Sequence, residues 1–72
     1  MNKQLLQYYM AQNQDNNTTL SSKLGMSAVS FSSKMNERGR SRFSIKDASR
    51  IRALYQLSDK DFINIFFTEK AE

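Results

Sequence analysis

The chain contains no cysteine, no histidine and no proline, and only two glycines, Gly25 and Gly39. Each absence removes a class of chemistry. Without cysteine there are no disulfides and no thiolate metal sites, so stability must come from packed side chains, as suits a reducing, intracellular compartment. Without histidine the usual proton shuttle near neutral pH and the commonest metal ligand are missing, which argues against zinc sites and histidine-dependent catalysis. No apolar stretch approaches the ~18 residues that a membrane span needs, and the amino end is too polar for a secretory signal. The expected location is therefore the cytoplasm, with no membrane partner. With no proline and no sustained β-branched alternation, helices joined by short turns are the economical reading.

What remains is a chain of 72 residues, 39% hydrophobic and 25% charged, which is the balance of an ordinary globular protein and not of a disordered or membrane one. One domain is expected, with a small core, because a chain this short buries only about 60% of the surface its unfolded form exposes. The formal charge of +4 is unevenly placed. Between Lys34 and Arg52 seven basic residues (Lys34, Arg38, Arg40, Arg42, Lys46, Arg50, Arg52) face two acidic ones (Glu37, Asp47), whereas the rest of the chain has four basic and five acidic. All the net positive charge thus lies in one segment. Two readings stand: a footprint for a polyanion, or a solvated basic face without a partner.

Along the chain, a first helix is expected from about Lys3 to Gln12, with Leu6 and Met10 on one face. The polar cluster from Asn13 to Asn17 breaks it, and Asp15 or Asn16 caps a second helix with Leu20 and Leu24 four residues apart. Gly25 ends that helix in the left-handed conformation. Ser27 caps a third, from about Ala28 to Asn36, whose Phe31 and Met35 share the core face. A basic loop follows from Glu37 to Phe43. Ser44 with Asp47 has the form of a capping box and opens a fourth helix, in which Ile45, Ala48, Ile51 and Leu54 recur at helical spacing. Ser58 with Asp61 repeats the device for a fifth helix, from Asp59 to about Phe67, that points Phe62, Ile65 and Phe66 at the core. Residues 68–72 read as a polar, fraying tail.

The unit from Asn17 to Asn36 carries the functional reading. Two short helices joined by the three-residue turn Gly25-Met26-Ser27 cross steeply, with small Ser21 at their closest approach and Leu20, Leu24, Met26 and Phe31 locking the angle from beneath. Such a pair can lay its second helix in a major groove while the positive end of its first points at a phosphate. The same Leu-Gly-Met-Ser turn also suits a helical bundle that never meets nucleic acid; the basic loop directly after the second of these helices favours the DNA-facing reading.

The residues Leu20-Ser21-Ser22-Lys23-Leu24-Gly25-Met26-Ser27, then Phe31-Ser32, Asn36, Leu57-Ser58-Asp59 and Ile65-Phe66-Phe67, resemble the small phage-type repressor and Cro-like helix-turn-helix proteins, over nearly the whole chain from Lys3 to Phe67. The resemblance implies an all-α, five-helix, lambda repressor-like domain acting in the genetic switch of a temperate phage, inside a bacterial host. It implies a phosphate contact for Asn17, where the family more often has glutamine, and base-edge contacts for Ala28, Val29 and Ser33. Alanine and valine depart from the forked side chains that normally discriminate bases, and can touch only thymine methyls. Ser27, Ser30, Ser32 and Ser33 can donate to base or phosphate. The expected contact set is Asn17, Thr18, Ser27, Ala28, Val29, Ser30, Ser32, Ser33 and Lys34, joined by Arg38, Arg40 and Arg42 of the basic loop. The resemblance also covers antirepressors, small modulators that bind a phage repressor and alter its operator occupancy, so double-stranded DNA and a repressor protein are both expected partners.

Leu5 and Tyr8 on the first helix and Ile63 and Phe67 on the fifth fall outside the core stripes. They are the candidates for self-association as a homodimer, with extra core packing as the alternative. Nothing points to an enzyme, a cofactor, a metal or a small-molecule substrate. Asp59 and Asp61 are explained by helix-start chemistry, the serines have no base arranged around them, and there is no phosphate-cradling glycine loop.

Overall fold

The computed structural model describes residues 1–67, and these are all-helical: α1 (Lys3–Gln12), α2 (Asn17–Leu24), α3 (Ala28–Met35), α4 (Ile45–Tyr55) and α5 (Asp59–Phe66). The tail expected at 68–72 lies outside the described residues. Each helix starts where a short polar side chain can satisfy an otherwise unbonded amide. Asn2 Oδ1 accepts from Leu5 N, Ser27 Oγ from Ser30 N, and Ser58 Oγ from Asp61 N, all at 3.1 Å. Asn16 and Ser44 form reciprocal capping boxes, with Thr19 and Asp47 respectively. Ser58 forms only half of one, because the Asp61 carboxylate accepts from the Tyr9 hydroxyl of α1.

Two helix ends use the same device. Gly25, at φ +73°, lets Met26 N donate to Ser21 O at 3.0 Å and Gly25 N to Ser22 O at 3.1 Å. This pair of bonds reverses the chain sharply into α3. At the end of α4 the left-handed position is held by Gln56, φ +53°, with Leu57 N donating to Arg52 O at 3.0 Å and Leu57 buried behind it. A residue with a Cβ is strained there. Replacing exposed Gln56 by glycine is expected to stabilise the protein by ~0.5–1 kcal/mol, read as a thermal midpoint several degrees higher in a circular-dichroism melt.

The core is one cluster: Leu6 and Met10 from α1, Leu20 and Leu24 from α2, Phe31 and Met35 from α3, Ile51 and Tyr55 from α4, Leu57, and Ile65 from α5. Helix α2 packs against α3 and α4, while α1 and α4 pack against α5. Phe43, Phe62 and Phe66 close over this cluster, Phe43 lying edge-on to Phe31 at 5.4 Å and to Phe66 at 6.1 Å between ring centroids. Arg52 lies 4.9 Å over the Phe62 ring and pairs with Asp59, which fastens α4 to the start of α5.

Helix α4 departs from its expected phase. Ile45 and Leu54 are exposed, at 73% and 42%, and the buried stripe is Asp47, Ala48, Ile51 and Tyr55. The capping box accounts for this. Asp47 turns inward because its Oδ2 accepts from both Ser44 N (3.2 Å) and Lys34 Nζ (3.0 Å), which rotates Ile45 out to the surface.

Candidate nucleic-acid interface

Because Phe31 and Met35 bury one face of α3, the opposite face is turned outward. Ser27, Ala28, Val29 and Ser30 are exposed, Val29 at 77%, and Ser32 and Ser33 are half-buried at the edge of this face. At the first turn of α2, Asn17 and Thr18 are also exposed. The two helices are held at their joint by packing: Leu20, Leu24 and Phe31 are buried, Met26 packs against them, and Ser21 is buried with its hydroxyl donating to Thr18 O at 2.9 Å. Asn36, which follows α3, accepts from Lys3 Nζ at 2.6 Å and donates back to Ser32 O at 2.9 Å, so the far end of α3 is tied to α1.

The charged groups divide into those consumed by the fold and those left over. Among the described residues there are five carboxylates, and each has a partner. Asp15 takes Lys23 and Tyr55; Asp47 takes Lys34; Glu37 takes Arg42 and the Met1 amine; Asp59 takes Arg52; Asp61 takes Tyr9. Two of the expected contact residues are thereby engaged within the fold. Lys34 is half-buried against Asp47, bracing α3 on the start of α4. Arg42 folds back on its own loop, donating to the carbonyls of Glu37 (3.1 Å), Gly39 (3.2 Å) and Ser41 (2.7 Å), and so shapes the connection between α3 and α4. That connection contains two left-handed residues, Glu37 at φ +52° and Gly39 at φ +55°.

Arg38 and Arg40 are exposed on this shaped loop, and neither side chain has a partner among the described residues. Lys46, in the first turn of α4 directly after the loop, is in the same condition. Its position was open to sequence reasoning, since the residue two after a cap serine lies outside the capping box. Arg50, one turn further, donates to Leu24 O at 3.2 Å, placing a cation at the carbonyl end of α2 beside the turn into α3. Arg38 and Arg40 follow α3 in the chain and Lys46 opens α4; Lys60 on α5 is likewise exposed and without a partner among the described residues.

Of the self-association candidates, Leu5 packs against the core, while Tyr8, Ile63 and Phe67 are each more than half exposed. Phe67 also lines a groove of about 140 Å³ whose walls mix Phe43, Ile45 and Phe66 with Glu37, Arg42 and Ser44. Among the described residues, no cluster of acidic side chains is arranged to hold a metal ion, and no helix is long and apolar enough to cross a membrane. No protein-family model, curated protein or solved structure matches the chain.

Proposed function

We propose that the protein is a small helix-turn-helix regulator that places α3 in the major groove of double-stranded DNA, with Arg38, Arg40 and Lys46 on the adjoining phosphates. The observation that carries this reading is the separation of charges. Every described carboxylate is occupied within the fold, while Arg38 and Arg40 of the loop after α3 and Lys46 of the first turn of α4 are not. A surface of this kind attracts a polyanion. Asn17 and Thr18 supply polar contacts at the start of α2, and Ser27, Ser30, Ser32 and Ser33 supply hydroxyls along α3. The resemblance to phage-type repressors makes the genetic switch of a temperate phage the setting for such a regulator. Pairing of two copies through Tyr8, Ile63 or Phe67 would set half-sites about 34 Å apart.

Fluorescence anisotropy with a labelled duplex across a salt series tests the reading. The logarithm of affinity should fall linearly with the logarithm of salt, and Arg38→Ala, Arg40→Ala and Lys46→Ala should each reduce the slope by about one. Salt-independent binding, or slopes unchanged by all three substitutions, would exclude it.

A second reading is favoured by one observation: large apolar side chains are exposed at the start of both α3 and α4, Val29 at 77% and Ile45 at 73%. On that reading the same fold is an antirepressor, presenting Ala28, Val29, Ser32 and Ser33 to a phage repressor. It predicts no salt-dependent duplex binding by this chain alone, but a stable complex with the repressor and altered mobility of the repressor on its operator.

A further inference from the structure

Of the large apolar side chains exposed among the described residues, two that lie far apart in the chain, Ile45 at 73% and Phe67 at 55%, meet at one groove. Ile45 is there because of the capping box of α4: Asp47 turns inward to Ser44 and Lys34, and its neighbour two residues earlier is carried to the surface. Half-buried Phe43 and Phe66 complete the apolar walls. The groove measures about 140 Å³. Small-molecule and cofactor sites take up roughly 300–1,000 Å³, so this one is too small for them, but it has room for a single side chain reaching in from another surface.

The charges at the groove decide what kind of partner fits. Glu37 is the one carboxylate on its walls, and it is shared by Arg42 at 3.5 Å and the Met1 amine at 3.6 Å. Lys46, next in the chain to Ile45, is exposed and has no partner among the described residues. It stands in the first turn of α4, where the helix dipole disfavours a cation, so an external anion there relieves a cost that the fold leaves unmet. A basic segment finds no carboxylate free to receive it. We propose that this groove is a docking surface for an acidic, apolar segment of another protein, which seats one bulky aliphatic or aromatic side chain between Ile45 and Phe67 and sets a flanking carboxylate on Lys46.

Fluorescence anisotropy with a labelled, end-capped peptide of alternating aspartate and leucine measures this docking with no nucleic acid present, so the outcome is independent of the DNA-facing reading. The chain should bind this peptide roughly tenfold more tightly than counterparts in which lysine replaces aspartate or serine replaces leucine, the effect of burying one large apolar side chain. Ile45→Ser should weaken binding roughly tenfold while keeping the native melting curve, since most of that side chain is already in water. Lys46→Glu should weaken it roughly fivefold at low salt, with the difference closing at high salt; glutamate suits the first turn of a helix, so this loss cannot come from unfolding. No binding of the aspartate–leucine peptide, equal binding of all three peptides, or an affinity untouched by both substitutions would overturn the proposal. Equal binding of the aspartate–serine peptide alone would also overturn it, in favour of a site for any polyanion, and so would a concentration-dependent dimer that Ile45→Ser dissolves, in favour of a second copy of this chain.

Discussion

Phe31→Ala is expected to remove a large part of the protein's stability. The side chain is fully buried, and α3 has no other large residue to hold its inner face besides Met35. Removing it withdraws the edge contact with Phe43 and leaves a cavity between α2, α3 and the loop that precedes α4. Such truncations cost ~3–5 kcal/mol, whereas a domain of this length has a total stability of roughly 4–11 kcal/mol. Phe31→Leu keeps most of the volume and should cost about 1–1.5 kcal/mol. The measurement is a pair of denaturant titrations followed by circular dichroism. A native-like midpoint for Phe31→Ala would show that α3 is held by something other than this ring. Because α3 carries the outward contact surface, the same substitution removes that surface without touching it.

Asp15→Asn is expected to give the second largest loss, on the order of 2–3 kcal/mol, or a thermal midpoint lower by about 10 °C or more. The Asp15 side chain is only 2% exposed and accepts from Thr19 Oγ1 (2.8 Å), Lys23 Nζ (2.9 Å) and Tyr55 Oη (2.6 Å). It joins the α1–α2 connection to the end of α4. Lys23 is 46% exposed, so its charge contributes little; the buried hydroxyl of Tyr55 contributes more. An asparagine amide cannot accept at both oxygen positions and turns a donor toward a donor. Tyr55→Phe should lose less, and the double variant little more than Asp15→Asn alone, because the two groups share one interaction.

This node also gives the pH dependence a definite sign. Burial pushes the Asp15 carboxyl up, but hydrogen bonds from Tyr55, Lys23 and Thr19 outweigh it and hold the group below its ordinary 3.8. Asp47 behaves alike, with burial opposed by Lys34 and Ser44. A carboxyl lowered in the folded state contributes stability that is complete above pH 3.8 and is lost as the pH falls through the folded value. The tyrosines set the other limit. Burial and the Asp15 carboxylate raise Tyr55 above 10.0, and the hydrogen bond to Asp61 raises Tyr9, so their contributions are complete below pH 10.0 and vanish as the pH climbs past it. Stability should therefore be level between these limits, and Asp15→Asn should flatten the acid decline.

The helix boundaries were legible because each rests on local chemistry. Asn16, Ser27, Ser44 and Ser58 cap amides within their own first turn, and Gly25 stops α2 through its own backbone freedom. The core positions of α1, α2 and α3 followed from spacing alone. What escaped were features set by residues distant in the chain. Ile45 and Leu54 carry the right spacing for a buried stripe, yet Asp47 claims the inside of α4 through Lys34, thirteen residues earlier in the sequence. Asp15 reads locally as a cap candidate, and only its contact with Tyr55, forty residues away, makes it a structural anchor. Lys34 and Arg42 look like two more free cations until Asp47 and the loop carbonyls engage them, whereas Arg38 and Arg40 remain available.

The central claim is that the protein meets DNA through the outward face of α3 and the loop after it. Nuclear magnetic resonance of the isotope-labelled protein, titrated with duplex DNA at low salt, tests this residue by residue. Amide shifts should move at Ser27 to Ser33, at Arg38 to Ser41 and at Asn17 and Thr18, while Tyr8, Ile63 and Phe67 stay still. Perturbations confined to α1 and α5, with α3 unmoved, would contradict it.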